Sequence, residues 1–193
     1  MKKALVVVAH PDDETIWMGG KIICEKEWQW TILSLCRKND EDRKPRFLNA
    51  CKELNAKAFI SDLDDENVEE RLKDIDEVVR RIEPVVSDKK FDFVFTHGKN
   101  GEYGHKRHLD VNEAVRKMVD GGLLECKNLF EFDYLRGEKP FKSIPNQKAK
   151  IKFALNSEES EKKKYLIRKV YNFSKESFEY LSCSDVETFS KVF

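Results

Sequence analysis

Short apolar runs alternate with segments of helical period through the first two thirds of this 193-residue chain, and that order restricts the fold more than any other feature. Strands that alternate with helices build βαβ units, which pack as a parallel sheet covered on both faces. Leu5 to Val8 is the clearest strand, because a run of Leu and Val bounded by charge suits a strand buried on both sides. Trp30 to Leu35, Ala58 to Ile60 and Phe91 to Phe95 read as three more. Between them, Gly19-Gly20 open a helix through Ile22, Ile23 and Lys26, and a polar loop from Arg37 to Lys44 leads into a helix from Pro45 to about Leu54. Val68, Leu72, Ile75, Val78, Val79 and Ile82 recur at helical spacing until Pro84 ends the pattern. A further helix covers Leu109 to Val119. Beyond Gly121-Gly122 the order loosens: Asn128 to Tyr134 and Lys150 to Leu155 read as strands, Glu158 to Tyr171 as a charged helix, and a mixed tail follows. The expectation is one α/β, Rossmann-like domain over residues 1–193, with a mainly parallel sheet flanked by helices.

Composition removes several classes of function. Lys and Arg number 36 and so do Asp and Glu, giving zero formal net charge, whereas proteins that neutralise nucleic-acid phosphates carry a basic excess or a basic face. No apolar run approaches the ~20 residues needed to span a bilayer. The apolar stretch after Met1-Lys2-Lys3 stops at His10 with no small-residue cleavage site behind it, so it reads as a first strand of a cytoplasmic protein and not as a signal peptide. Five scattered cysteines without a Cys-x-x-Cys pair indicate reduced thiols.

The chemistry concentrates at the four histidines. His10 follows the first strand, and His97, His105 and His108 follow the fourth. Ligands in an open parallel sheet bind beyond the carboxyl ends of the strands, where strand order reverses, and strands one and four flank that point in a common ordering. In His10-Pro11-Asp12-Asp13-Glu14, imidazole and carboxylate three residues apart can converge as the strand turns into a helix, and this borderline donor pair suits zinc. In Gly101-Glu102-Tyr103-Gly104-His105-Lys106-Arg107-His108, the first helical turn projects two histidines to one side. Taken singly, these residues have ordinary uses: Asp12 or Asp13 as a helix cap, His97 as a capping or supporting group, Glu14 as a carboxylate favoured at a helix start.

Together, Ala9-His10-Pro11-Asp12-Asp13-Glu14, the Gly19-Gly20 pair and the motif from Gly101 to His108 resemble the PIG-L / LmbE-like zinc-dependent N-acetylglucosaminyl deacetylases. The resemblance covers roughly the first 120 residues and leaves 121–193 unmatched. It implies that His10, Asp13 and His108 bind zinc, with iron(II), cobalt or manganese as substitutes. Asp12 would take a proton from the attacking water, His105 would be the protonated donor to the oxyanion, and Tyr103 would assist at the tetrahedral stage. Arg43 falls near the position of a substrate-contacting arginine. Lys106-Arg107 stand where the family often has Pro-Asp, so an acidic partner for the histidines must come from Asp110 or elsewhere. The implied activity is hydrolysis of an acetamide on an N-acetylglucosamine-containing small molecule or glycoconjugate. Other classes that use such residues are metal-dependent phosphoesterases and noncatalytic sugar-binding modules.

Overall fold

Lys3–Val8 forms strand β1, and its alternation decides what lies above and below it. Ala4, Val6 and Val8 enter one apolar layer and Leu5, Val7 and Ala9 the other, since successive strand side chains face opposite ways. All six are fully buried, as a central strand of a parallel sheet requires. The computed structural model describes residues 1–67, 69–87, 89–138 and 141–193. After β1 the order is α1 (Asp13–Cys24), β2 (Gln29–Ser34), α2 (Arg43–Glu53), β3 (Lys57–Ile60), α3 (Ile75–Val86), β4 (Lys90–Phe91) and β5 (Phe93–Thr96). There follow α4 (Gly101–Gly104), α5 (Lys106–Asp120), β6 (Glu125–Cys126), β7 (Leu129–Phe132), β8 (Tyr134–Arg136), β9 (Ser143–Pro145) and β10 (Ile151–Ala154). The chain closes with α6 (Ser157–Tyr165), a π-helical turn (Leu166–Val170), α7 (Phe178–Ser182) and β11 (Val186–Lys191).

The main sheet has the order β10-β11-β7-β5-β1-β2-β3. Its five strands from β7 to β3 are parallel, and β11 and β10 add an antiparallel edge. This is the expected α/β, Rossmann-like architecture, and strand order reverses between β1 and β5, the strands that precede the two histidine motifs. Residues of α1, α2 and the π-helical turn cover the Val6 face, while α3 and α5 cover the Leu5 face. No helix among the described residues is long and apolar enough to cross a membrane.

Several boundaries differ from the sequence reading for physical reasons. Helix α1 starts at Asp13, not at the glycine pair, which lies beside a kink at Met18 (φ −150°). The carboxylate of Glu187 accepts the Gly20 and Lys21 amides at 2.7 and 2.8 Å and pairs with buried Lys163 at 2.8 Å. Lys163 is therefore no part of a solvated basic face. Val68, the expected start of the third helix, lies outside the described residues, Leu72 precedes α3, and Pro84 sits inside the last turn of α3. There the missing N–H deprives only the carbonyl of exposed Arg80. The strand expected over Asn128 to Tyr134 breaks at Asp133 into β7 and β8, and the mixed tail contributes β11.

Gly98 follows β5 and packs directly against the main-chain oxygen of Phe132 in β7; a Cβ there would overlap that oxygen and crowd Asn100 Oδ1 at 2.8 Å. Gly98→Ala is expected to cost about 1–3 kcal/mol of stability through this overpacking. Urea unfolding should show a lower midpoint at unchanged slope.

Candidate active site and metal centre

The two histidine motifs meet at the carboxyl ends of β1 and β5. At the end of β1 the chain turns through His10-Pro11 into Asp12, whose backbone has φ 106° and ψ −29°. A non-glycine residue in that region stores about 1–3 kcal/mol of strain. The main-chain oxygen of Asp12 accepts the Thr15 and Ile16 amides at 2.9 Å each, and its own amide donates to Glu14 Oε2 at 3.1 Å. The Asp12 side chain makes no capping bond, so the cap reading fails for it. It faces a cleft of roughly 260 Å³, where Arg43 Nη1 donates to its Oδ2 at 2.7 Å. Arg43 opens α2 and does not float in the preceding loop; its guanidinium also stacks on Phe173 at 4.6 Å.

Asp13 is held by the His10 amide on Oδ2 at 2.8 Å and the Trp17 indole on Oδ1 at 3.1 Å. Its Oδ2 lies 3.3 Å from His10 Nδ1 and 3.5 Å from His108 Nε2, and the two nitrogens are 3.3 Å apart. Bonds of ~2.0–2.1 Å at tetrahedral angles to zinc separate ligand atoms by about 3.3–3.4 Å. His10, Asp13 and His108 thus form one face of such a tetrahedron, and the donor set fits the metal that the sequence implied.

Each histidine ligand touches a carboxylate through its other nitrogen. His10 Nε2 is 3.1 Å from Asp65 Oδ1, and Asp65 also pairs with Arg37 at 2.7 Å. His108 Nδ1 is 2.5 Å from Glu102 Oε2. Burial pushes both carboxyls up, but His10 and Arg37 hold Asp65 at about 2, and His97 and His108 hold Glu102 at about 2. Asp110 is engaged elsewhere, with Arg107 at 2.6 Å and Arg71 at 2.7 Å, so Glu102 supplies the acid missing from the second motif. Sequence reasoning singled out neither Asp65 nor Glu102 for this role. Asp65 lies in an acidic stretch that looks like any solvated loop, whereas Glu102 stood inside the motif and was readable as a partner.

His105 is the N-cap of α5: its Nδ1 accepts the Arg107 amide at 3.2 Å. That bond leaves the proton of a neutral ring on Nε2. Burial, then His108 and His10, push its pKa down to about 3, so the free site favours a neutral imidazole where the family resemblance implied a protonated one. Tyr103, from α4, packs on Phe178 at 4.6 Å with its ring 5.7 Å from that of His105. Burial and the charges of Asp13 and Asp12 keep its hydroxyl protonated. Burial and then the neighbouring Asp13 raise Asp12 well above the ordinary carboxyl range, against the pull of Arg43. Trp17 is fully buried, and Trp28 and Trp30 stack on each other at 5.4 Å; Cys36 is a buried free thiol.

Comparison with known proteins gives the family and the fold. The sequence model of the PIG-L family, described as GlcNAc-PI de-N-acetylase, matches residues 5–119. The chain belongs to the PIG-L family. An uncharacterized protein of Acanthamoeba polyphaga mimivirus is 26% identical over 144 residues, which cover 67% of this chain and 61% of that protein; the chain thus spans about three fifths of the curated relative's length. Among solved structures, the 4-carboxy-2-hydroxymuconate hydratase GalB of Pseudomonas putida superposes with TM-score 0.73 at 17% identity, covering 100% of this chain and 97% of that one. The N,N'-diacetylchitobiose deacetylase of Pyrococcus horikoshii gives 0.69 at 16% identity over 99% and 84%. These two likenesses establish the shared fold.

Glu14 links this PIG-L core to the unmatched last third. Its Oε1 accepts the Thr15 hydroxyl at 2.5 Å and the Tyr171 hydroxyl at 2.7 Å. Burial outweighs these bonds and the Asp12 amide and pushes its carboxyl from 4.5 up to about 7. A raised acid stabilises the fold fully below its unfolded-state pKa and loses that contribution as pH rises through the folded one. In the metal-free protein Glu14's contribution should be lost between pH 4.5 and about 7, so the stability of the wild type relative to Glu14→Gln, read from thermal melts, should fall across that window.

Proposed function

We propose that this PIG-L protein is a metal-dependent amidohydrolase that removes the N-acetyl group from an N-acetylglucosamine-containing substrate. The observation that carries the reading is the convergence of His10 Nδ1, Asp13 Oδ2 and His108 Nε2 within 3.5 Å of one another, beside an additional buried carboxylate, Asp12, that lines the adjoining cleft. Three protein ligands leave a position open for chemistry, whereas a structural zinc site closes with four. Zinc fits this donor set, and iron(II), cobalt or manganese share it, with availability deciding among them. When bound, such an ion acidifies water and polarises a carbonyl.

Asp12 takes the proton of the water that attacks the acyl carbon, with Arg43 fixing its carboxylate, and its raised proton affinity suits that task. The same carboxyl then delivers the proton to the leaving amine nitrogen. His105 donates its Nε2–H to the acyl oxygen as charge develops, and the cap bond from the Arg107 amide to its Nδ1 holds that donor in place without reorganisation during the reaction. Tyr103 adds a protonated hydroxyl on the same wall. The products are acetate and a free amino sugar. Arg37, Asp65 and Glu179 line the cleft together with Tyr103 and Phe178, a mixed polar and aromatic lining that suits a sugar. A two-metal phosphoesterase would need a carboxylate that bridges two ions, and the convergence of His10, Asp13 and His108 supports a single ion.

Metal-loaded protein should release acetate from at least one member of a panel of N-acetyl sugars, and chelator should stop it; no release from any of them removes the deacetylase reading. Asp12→Asn should retain its zinc while losing about 10²–10⁴-fold in turnover. Zinc analysis should find His108→Ala depleted, and wild-type stoichiometry in that variant would strike His108 from the ligand set.

A further inference from the structure

Two fully buried titratable residues beside the ligands have no part in the reaction proposed above: His97, at the end of β5, and Glu102, in α4. We propose that Glu102 is the positioning residue that fixes the metal ligand His108, and that His97 ties Glu102 to β1 and is not a fourth ligand. A single carboxylate oxygen, Glu102 Oε2, stands 2.5 Å from His108 Nδ1 and 2.9 Å from His97 Nδ1, while Oε1 accepts the Gly98 amide at 2.6 Å. Both imidazoles donate to that oxygen. For His108 this puts the Nε2 lone pair on the side of His10 and Asp13, the form that binds a metal. The two rings stack at 3.8 Å with 17° between their planes.

His97 Nε2 is near enough to look like a ligand, 3.4 Å from Asp13 Oδ2. Its lone pair, however, accepts the Ala9 amide at 2.9 Å, and a lone pair occupied by an N–H cannot also bind a cation. Ala9 immediately precedes His10. The relay therefore runs from the main chain beside one ligand, through His97 and Glu102, to the ring of another. Glu102 adopts φ 58° and ψ −56°, a conformation that persists only where surrounding contacts over-determine it. The three hydrogen bonds to its carboxylate do so.

This inference rests on the metal site of the proposed function and not on its substrate, and zinc affinity is read without substrate, so the two readings fail separately. Competition with a chromophoric chelator should show zinc affinity lowered about 10–100-fold in Glu102→Gln, the usual loss when a ligand's supporting carboxylate is removed. His97→Asn keeps a donor where Nδ1 stood and lacks Nε2, so it should lose less than about 10-fold. Wild-type affinity in Glu102→Gln, or a loss in His97→Asn as large as in His108→Ala, would overturn the assignment. A measurement on the wild type guards against variants that do not fold. In ¹⁵N-histidine spectra, zinc should shift one ring nitrogen each of His10 and His108 and leave His97 Nε2 in place; a metal-induced shift at His97 would falsify its supporting role.

Discussion

Parallel pairing of β1 with β5, in the register that sets Val7 opposite Thr96, is the constraint from which the site follows. Ala9 and His97 are 88 positions apart in sequence, yet the register carries both just past the same sheet edge, where a main-chain amide meets an imidazole at 2.9 Å. The pairing depends on a strand whose two faces are both apolar, because only such a strand can take the middle of a sheet covered on both sides. Ligands from either side of the strand-order reversal then converge without any long loop having to be ordered for the purpose. The proposed metal ligands come from the turn into α1 and the first turn of α5, elements whose positions are fixed by packing on opposite faces of the sheet.

The last third, beyond the family match, buttresses this arrangement from behind. Tyr171 reaches Glu14 because the π-helical turn after α6 closes with the Tyr171 amide bonded to the Leu166 main-chain oxygen at 2.9 Å, a local widening that helices use at functional sites. Glu14 in turn holds the amide of strained Asp12. Glu187, from β11, clamps the kink of α1 one turn beyond Trp17, whose indole holds Asp13. The last third thus supports the turn at Asp12 through an acceptor at the kink of α1 and a donor to Glu14.

The sheet was legible because apolar runs of strand length are a local pattern, and the two histidine motifs stood out by their spacing where a strand enters a helix, while the choice of His10, Asp13 and His108 came from the family resemblance. The rest depended on partners distant in sequence. β11 escaped notice because its buried positions include Glu187 and Thr188, which break the apolar alternation that marks a strand. The start of α1 was misplaced because helix geometry at Gly19-Gly20 depends on a carboxylate 167 residues away. Asp65 reads as one acid among several in its loop until the fold sets it against His10 Nε2. The charge of His105 was read from the reaction it is to assist, and its cap bond to Arg107 could not be seen in the sequence alone.

Because one fold is shared with a hydratase and a deacetylase, the reaction has to be argued from the site's own electrostatics. Buried Asp12, Asp13 and Glu102 and half-buried Asp65 gather around the convergent ligand atoms, a concentration of carboxylates that a cation relieves. Without that charge, protons on imidazole are the nearest substitute. Burial works against a charged His10, yet Asp13 and Asp65 raise its pKa to about 10. His105 has no carboxylate partner, and so stays neutral in the same cluster. The asymmetry assigns work by environment: histidines backed by a carboxylate and with the other nitrogen free of a main-chain amide suit a cation, and the one capped by a helix amide suits a substrate oxygen.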